Sequence, residues 1–465
     1  MYRFSKFIIT AILCSTILPT FAQLELKVSL SGITCDSLKL QSFNWKKKSG
    51  TNLVIPFNEN VVFKQKASIN PGIYWLTADT THIAEIIISP EKKQKLSIHL
   101  NHSEVTFDNN AENTLYQQYM VQMREFNKQH AALNKEYEEA RQLPAYMLRT
   151  LADSLTARAQ RIQHARSAYE QKIIQENPKT LLASIVAANI SMPEIPLNYY
   201  NNPSKIQEFV MQHFFDNFPW NDPRIFNTPI AEDKFKEYVD FVYQVDRPDL
   251  DTFVVKALKE SSINETSHRL FFERLDKDLG YYMSNYKVEH TYIKMLQYIL
   301  ATPNLEKVRR TFYEYELSTI NKNLNGSIAT DFRFINEKGD TSNLHSVQSE
   351  YILLFLHNPN CHTCREVRNR IANYEHLNQA IASGRLNVLT VYMEKDAKVW
   401  KHYLETEANP SYMHAWNFDT SIEDNALYET RTIPYMFLLD KDKRVIKKNI
   451  LINEIEDYIQ YLKIY

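Results

Sequence analysis

Two cysteines separated by two residues, Cys361 and Cys364, are the part of this 465-residue chain best suited to chemistry. They sit in the segment Asn358-Pro359-Asn360-Cys361-His362-Thr363-Cys364, directly after the apolar run Tyr351 to Leu356. Beyond them Val367, Ile371, Tyr374 and Leu377 fall on one helical face. A continuous apolar run reads as a strand covered on both sides, and the periodicity after it reads as a helix that Cys361 opens. The spacing matters because the thiolate is the nucleophile of disulfide exchange, and the free N–H groups and dipole at a helix start stabilise it. Cys361 is therefore expected to attack a partner disulfide, and Cys364, one turn inward, to resolve the mixed disulfide. His362, when protonated, would favour the Cys361 thiolate; Thr363 and Glu366 are the other expected modulators.

Two plainer readings of the pair stay open. A CxxC is half of many zinc sites, and Cys35, His357 or His362 would have to complete one here. The pair could equally form an inert structural disulfide. Of the remaining cysteines, Cys14 lies in an N-terminal apolar run, and Cys35 lies in the turn after the first strand, where an unpaired structural thiol is expected.

The elements around the pair form an order. Ile328 to Ile335 and the turn Glu337-Lys338-Gly339-Asp340 read as a hairpin leading in, followed by the Tyr351 strand and the CxxC helix. A strand Leu386 to Met393, a helix from near Asp396 and a loop containing Pro410 come next. Thr432-Ile433-Pro434 then leads into a strand Tyr435 to Leu439, a strand Val445 to Lys448 and a helix Glu454 to Leu462. This order, with Ile433-Pro434 before a strand and Leu438-Leu439-Asp440-Lys441-Asp442 closing it, resembles the thioredoxin superfamily over 326–465, most closely the TlpA-type envelope proteins. The resemblance implies a thioredoxin-like fold and a cis Ile433–Pro434 bond that sets backbone beside the sulfurs, where a substrate strand pairs. It also shows two departures. Asn360 stands where such proteins often have Trp, and Phe355, six before Cys361, stands where thioredoxin has a buried acid, leaving Glu366 or water to move the proton.

The rest of the chain is of a different texture. From Leu24 to about Phe107 apolar residues alternate with polar ones, as in Leu24, Leu26, Val28 and Leu30, with turns such as Asn70-Pro71-Gly72 between runs. That pattern predicts an all-β sandwich-like domain over 23–109. Two stripes follow at helical spacing, Leu115-Tyr119-Met123-Phe126-Leu133-Tyr137 and Leu151-Leu155-Ile162-Ala165-Tyr169-Ile173, and predict an antiparallel pair broken at Leu143-Pro144. Prolines between 191 and 230 make a long helix improbable there, and Phe214, Phe215, Phe218 and Trp220 should pack that region down. More helices follow, so that 110–322 reads as an all-helical domain whose scattered histidines show no metal spacing.

Composition and the N-terminus set the compartment. With 54 basic against 55 acidic residues nothing suggests a nucleic-acid partner, and 7 glycines leave little room for a phosphate cradle. Arg3 and Lys6 precede an apolar run Phe7 to Leu18, then Pro19 and Thr20-Phe21-Ala22, which reads as a signal peptide over 1–22 cut after Ala22. An uncleaved anchor and acylation at Cys14 are the rival readings. The expected protein is a periplasmic or envelope thiol:disulfide oxidoreductase of undetermined direction. Its expected partners are protein thiols and disulfides and an envelope redox donor or acceptor. No cofactor and no metal are expected, nor any membrane span, while association with a membrane surface is left open. The alternative is a non-catalytic envelope binding or assembly protein on a thioredoxin-like scaffold.

Overall fold

The structure, a computed structural model, describes residues 22–31, 35–43, 52–56, 60–79, 81–90, 93–101, 105–142, 144–190, 192–280, 288–430 and 433–464. The signal-peptide residues before Ala22, with Cys14, and the boundary residues Leu143 and Thr432 lie outside the described residues. The chain divides into two compact units, Met1–Val245 with Lys256–Arg274 and Asp246–Val255 with Leu275–Tyr465. Residues of the helical stretch 110–322 fall in both units.

Among the described residues the first unit begins with eight strands: β1 (Ala22–Leu30), β2 (Ser37–Ser42), β3 (Asn52–Pro56), β4 (Asn60–Ile69), β5 (Gly72–Ala78), β6 (Thr81–Ile88), β7 (Lys93–Leu100) and β8 (Val105–Asp108). They form two four-stranded sheets, ordered β4-β1-β7-β8 and β3-β2-β5-β6, with β1 and β7 the parallel pair. The alternation explains the arrangement, because period-two apolar residues give each sheet one face to bury. Leu24, Leu26 and Val28 of one sheet join Leu38, Leu40 and Leu76 of the other in a single core. Cys35 is partly buried against that core as a free thiol.

Helices α1 (Ala111–Ala140) and α2 (Ala145–Glu176) follow, and the break falls at the expected proline, since Pro144 cannot continue a helix. The buried stripe of α1 runs through Tyr116, Tyr119, Met123, Phe126 and Leu133. Tyr137 and Leu151, placed on the seams by spacing, are exposed. Near its start Asn113 ties α1 to β6, accepting from the Ile87 N–H and donating to the Ile87 carbonyl, each at 2.8 Å. After α3 (Leu181–Asn189), the proline-rich stretch does contain an eleven-residue helix, α4 (Pro203–His213). Pro203 permits it by occupying the first helical turn, where its missing N–H costs nothing. Next come α5 (Pro229–Val245), α6 (Asp251–Ser261) and α7 (Glu265–Leu279). In the first unit Phe214, Phe215, Phe218, Trp220, Phe235 and Phe271 pack ring against ring, with Phe218 and Trp220 centroids 4.4 Å apart.

The second unit carries α8 (Glu289–Leu300) and α9 (Lys307–Ile320), then the mixed α/β domain. Its elements are β9 (Arg333–Asn336), β10 (Thr341–Asn343), β11 (Tyr351–His357), α10 (His362–Ile371), α11 (Glu375–Ala382), β12 (Leu386–Tyr392), α12 (Ala397–Thr406), β13 (Met413–Trp416), α13 (Ser421–Asp424), β14 (Tyr435–Asp440), β15 (Val445–Lys448) and α14 (Ile455–Tyr461). Seven strands form one sheet, ordered β10-β9-β13-β12-β11-β14-β15. Strand β11 lies in its interior, parallel to β12 and antiparallel to β14, which explains its unbroken apolar sequence. Strand β13 forms within what sequence reads as a loop, because its four residues are too few for a legible period. Leu353 and Phe355 pack against Ile371, Leu377, Ile455 and Ile459, which brings α10, α11 and α14 onto one core.

Candidate active site

Cys361 stands at the junction of β11 and α10. Asn358 and Pro359 end the strand, the Cys361 N–H donates to the Asn358 carbonyl at 3.0 Å, and Cys361 caps α10. Its extended backbone (φ −78°, ψ 120°) leaves the first-turn amides free, and its Sγ accepts from the Cys364 N–H at 3.2 Å. An amide aimed at sulfur from a helix start favours the charged form, by the same physics that makes Asp a good cap. Cys361 is half-buried and Cys364 is buried, both as free thiols. Burial pushes the Cys364 thiol up to about 12; the Asn358 backbone and the charge of Arg368 act against that rise.

The third component comes from far along the chain. The Ile433–Pro434 peptide bond is cis, and the Ile433 carbonyl oxygen lies 4.0 Å from Cys361 Sγ. Both residues are only half-buried. A partly open sulfur, a sealed sulfur one turn inward and a turned backbone edge thus converge at the mouth of β11.

Residues 349–445 match the family model described as thioredoxin-like. The C-terminal domain is thioredoxin-like. Residues 156–323 match a separate model, a domain of unknown function (DUF5106), and no curated protein matches the chain. Among solved structures, a thioredoxin-like protein from Bacteroides caccae is 24% identical with a TM-score of 0.54, covering 59% of this chain and 98% of its own. The C-terminal domain of an uncharacterized protein from Bacteroides fragilis is 29% identical, with a TM-score of 0.29 over 30% of this chain and 98% of its own. The thioredoxin domain of a thiol-disulfide oxidoreductase from Bacteroides vulgatus is 18% identical, with a TM-score of 0.26 over 30% of this chain and 97% of its own.

Within the thioredoxin-like domain the structure brings together Cys361, Cys364, Ile433 and Pro434. It leaves the expected modulators outside. His362 and Thr363 are exposed, and His362 Nδ1 pairs with Glu366 Oε2 at 3.7 Å on the solvent side of α10. Glu366 is therefore a surface partner of His362 and does not reach toward buried Cys364. Among the described residues no group of three or more His, Cys, Asp or Glu could hold a metal ion, and none of the helices is long and apolar enough to cross a membrane.

Sequence reasoning missed the groups beneath the dithiol. His357 is fully buried, its Nδ1 3.1 Å from Arg368 Nη1, and Arg368 also donates to the Glu407 carboxylate. Burial first, and then the charge of Arg368, holds the His357 imidazole well below its ordinary range. The one available signal was Arg368 itself, four residues after Cys364 and hence on its face of the helix. Nothing in spacing foretold Glu407, which arrives from the end of α12.

Proposed function

We propose that this protein is an exported envelope thiol:disulfide oxidoreductase that exchanges disulfides with protein partners through Cys361 and Cys364. The observation that carries the reading is the convergence of a half-open cysteine at a helix start, a buried second cysteine and the cis Ile433–Pro434 backbone 4.0 Å from the first sulfur. In the exchange, the Cys361 thiolate attacks a partner disulfide and releases one partner thiolate, which takes up a proton. Cys364 then loses its proton, attacks Cys361 Sγ and frees the second partner thiol. The dithiol ends as a disulfide and the partner disulfide as two thiols, so electrons balance, and the reverse sequence oxidises a partner. A substrate strand would pair with the backbone at Ile433. No cofactor takes part. The positively charged, apolar N-terminus supports export, and an envelope redox donor or acceptor would reset the pair.

Trapping tests the reading. Cys364→Ser should leave Cys361 stalled in mixed disulfides with natural partners, recovered from the envelope fraction by non-reducing electrophoresis and mass spectrometry. Recovery of nothing above a Cys361→Ser control would instead assign the domain to a scaffold role.

A further inference from the structure

A cation, Arg368, follows Cys364 by one turn on the buried face of α10. The position six before Cys361 is Phe355, fully buried in the sheet core. Two residues on, along the same strand face, His357 stacks on Phe355 with centroids 5.2 Å apart. Arginine can only donate, so His357 Nδ1 must accept from Arg368, and the imidazole proton is thereby confined to Nε2. That Nε2 is buried without a hydrogen-bond partner. His357 is thus a neutral prop for the guanidinium and cannot take a proton from sulfur.

Arg368 is only 7% exposed and is held from two more directions. Glu407 accepts from it, the Tyr403 ring lies under it at 5.0 Å, and Arg365 Nε approaches the same Glu407 carboxylate at 3.6 Å. Two guanidiniums share one carboxylate, so a positive charge is left over beside α10. The remaining titratable neighbour is His414 of β13, buried and held below its ordinary range by burial foremost, with Arg368 adding to the effect. We propose that Arg368 is a positioning residue for the resolving step. Its guanidinium, anchored by Glu407, His357 and Tyr403, supplies the charge against which the buried Cys364 sulfur becomes a thiolate and attacks Cys361. This rests on the exchange reading above and names the group that serves it in place of a buried acid. The proton of Cys364 leaves to water, the Cys364–Cys361 bond forms, and the bond from Cys361 to the partner sulfur breaks, its electron pair leaving with the partner thiolate.

In the full chain carrying Cys35→Ser, which removes the other free thiol, dithio-bis-nitrobenzoate separates the steps, since one thionitrobenzoate is released when Cys361 attacks and a second when Cys364 displaces the mixed disulfide. Arg368→Met should slow the second release about tenfold at neutral pH, as a one-unit rise in the Cys364 pKa would. It should displace that step's pH–rate profile upward and spare the first release. Arg368→Lys should recover most of the rate. Glu407→Gln, which removes the opposing charge, should speed the second release. Slowing of both releases, or slowing by Arg368→Met and Glu407→Gln alike, would mean a merely structural role and overturn the proposal. If Arg368→Met does not fold, Glu407→Gln decides alone, and an unchanged or slowed second release overturns it. A wild-type protein that never gives the second release would sink the exchange reading itself, which is a different failure.

Discussion

The two cysteines differ because one caps α10 and the other is buried within its first turn. In the folded protein at neutral pH, iodoacetamide should modify Cys361 and spare Cys364, read by peptide mass spectrometry; equal labelling would mean that Cys364 is not sealed. Burial raises the Cys364 thiol from 9.0 to about 12, so it contributes stability below pH 9.0 that is lost as pH climbs toward 12 and the unfolded thiol ionises first. His357 works in the opposite direction. An unfolded histidine takes up a proton near pH 6.5, which buried His357 resists, so its contribution is present above pH 6.5 and lost as pH falls toward its depressed value. His414 adds with the same sign. Between about pH 7 and about pH 5 the two histidines should therefore lower the melting temperature of the C-terminal unit, against the opposite contribution of Glu423, whose carboxyl burial raises to about 7. His357→Gln should flatten part of that fall, and an unaltered pH profile in the variant would refute the assignment.

At the scale of elements, a few side chains hold pieces of unlike geometry together. Asn113 gives both its amide groups to the backbone of Ile87, joining α1 to β6 in the first unit. Replacement by Ala leaves a buried N–H and C=O unpaired, which costs about 1–3 kcal/mol each way of counting the lost pair. Asn113→Ala should lower the urea midpoint of the first unit accordingly, with an unchanged slope. The aromatic cluster is a second joint: Phe215 lies within 5.3 Å, centroid to centroid, of both Trp220 and Phe271. Phe215→Ala should destabilise that unit by about 3–5 kcal/mol.

For the molecule as a whole, the thioredoxin-like domain does not end where its family likeness ends. Lys448 of β15, buried, pairs with Glu289 of α8 at 2.6 Å and donates to the carbonyls of Ile320 and Lys322 at 2.9 and 3.0 Å. Burial pushes the Glu289 carboxyl up and the Lys448 ammonium down, and each is opposed by its partner's charge. Breaking such a pair from one side costs about 3–5 kcal/mol, because the other charge stays buried. Glu289→Ala should lower the stability of the second unit by that amount. A fragment spanning 326–465 should melt well below one spanning 288–465, although both contain the complete CxxC site; equal melting would show that the helices add nothing.

The local order of strands and helices was legible from the chain alone, because hydrophobic period is a local property and proline and glycine punctuate it. The β-sandwich alternation, the break before Pro144, the buried β11 run and the placement of Cys361 at a helix start all follow from neighbours in sequence. The short strand β13 and the exposed Tyr137 and Leu151 did not, since four residues carry no period and an apolar side chain does not state whether a partner covers it. Glu366 was nominated because it is near in sequence but lies on the exposed side of α10, whereas Arg368, one turn beyond Cys364 on the buried side, meets partners that are near only in space. Arg368, His357 and Glu407 meet because α10, β11 and the end of α12 pack on one sheet face. Long-range packing decides which charges are stripped of water, and that alone turns three ordinary polar residues into the electrostatic setting of a sulfur.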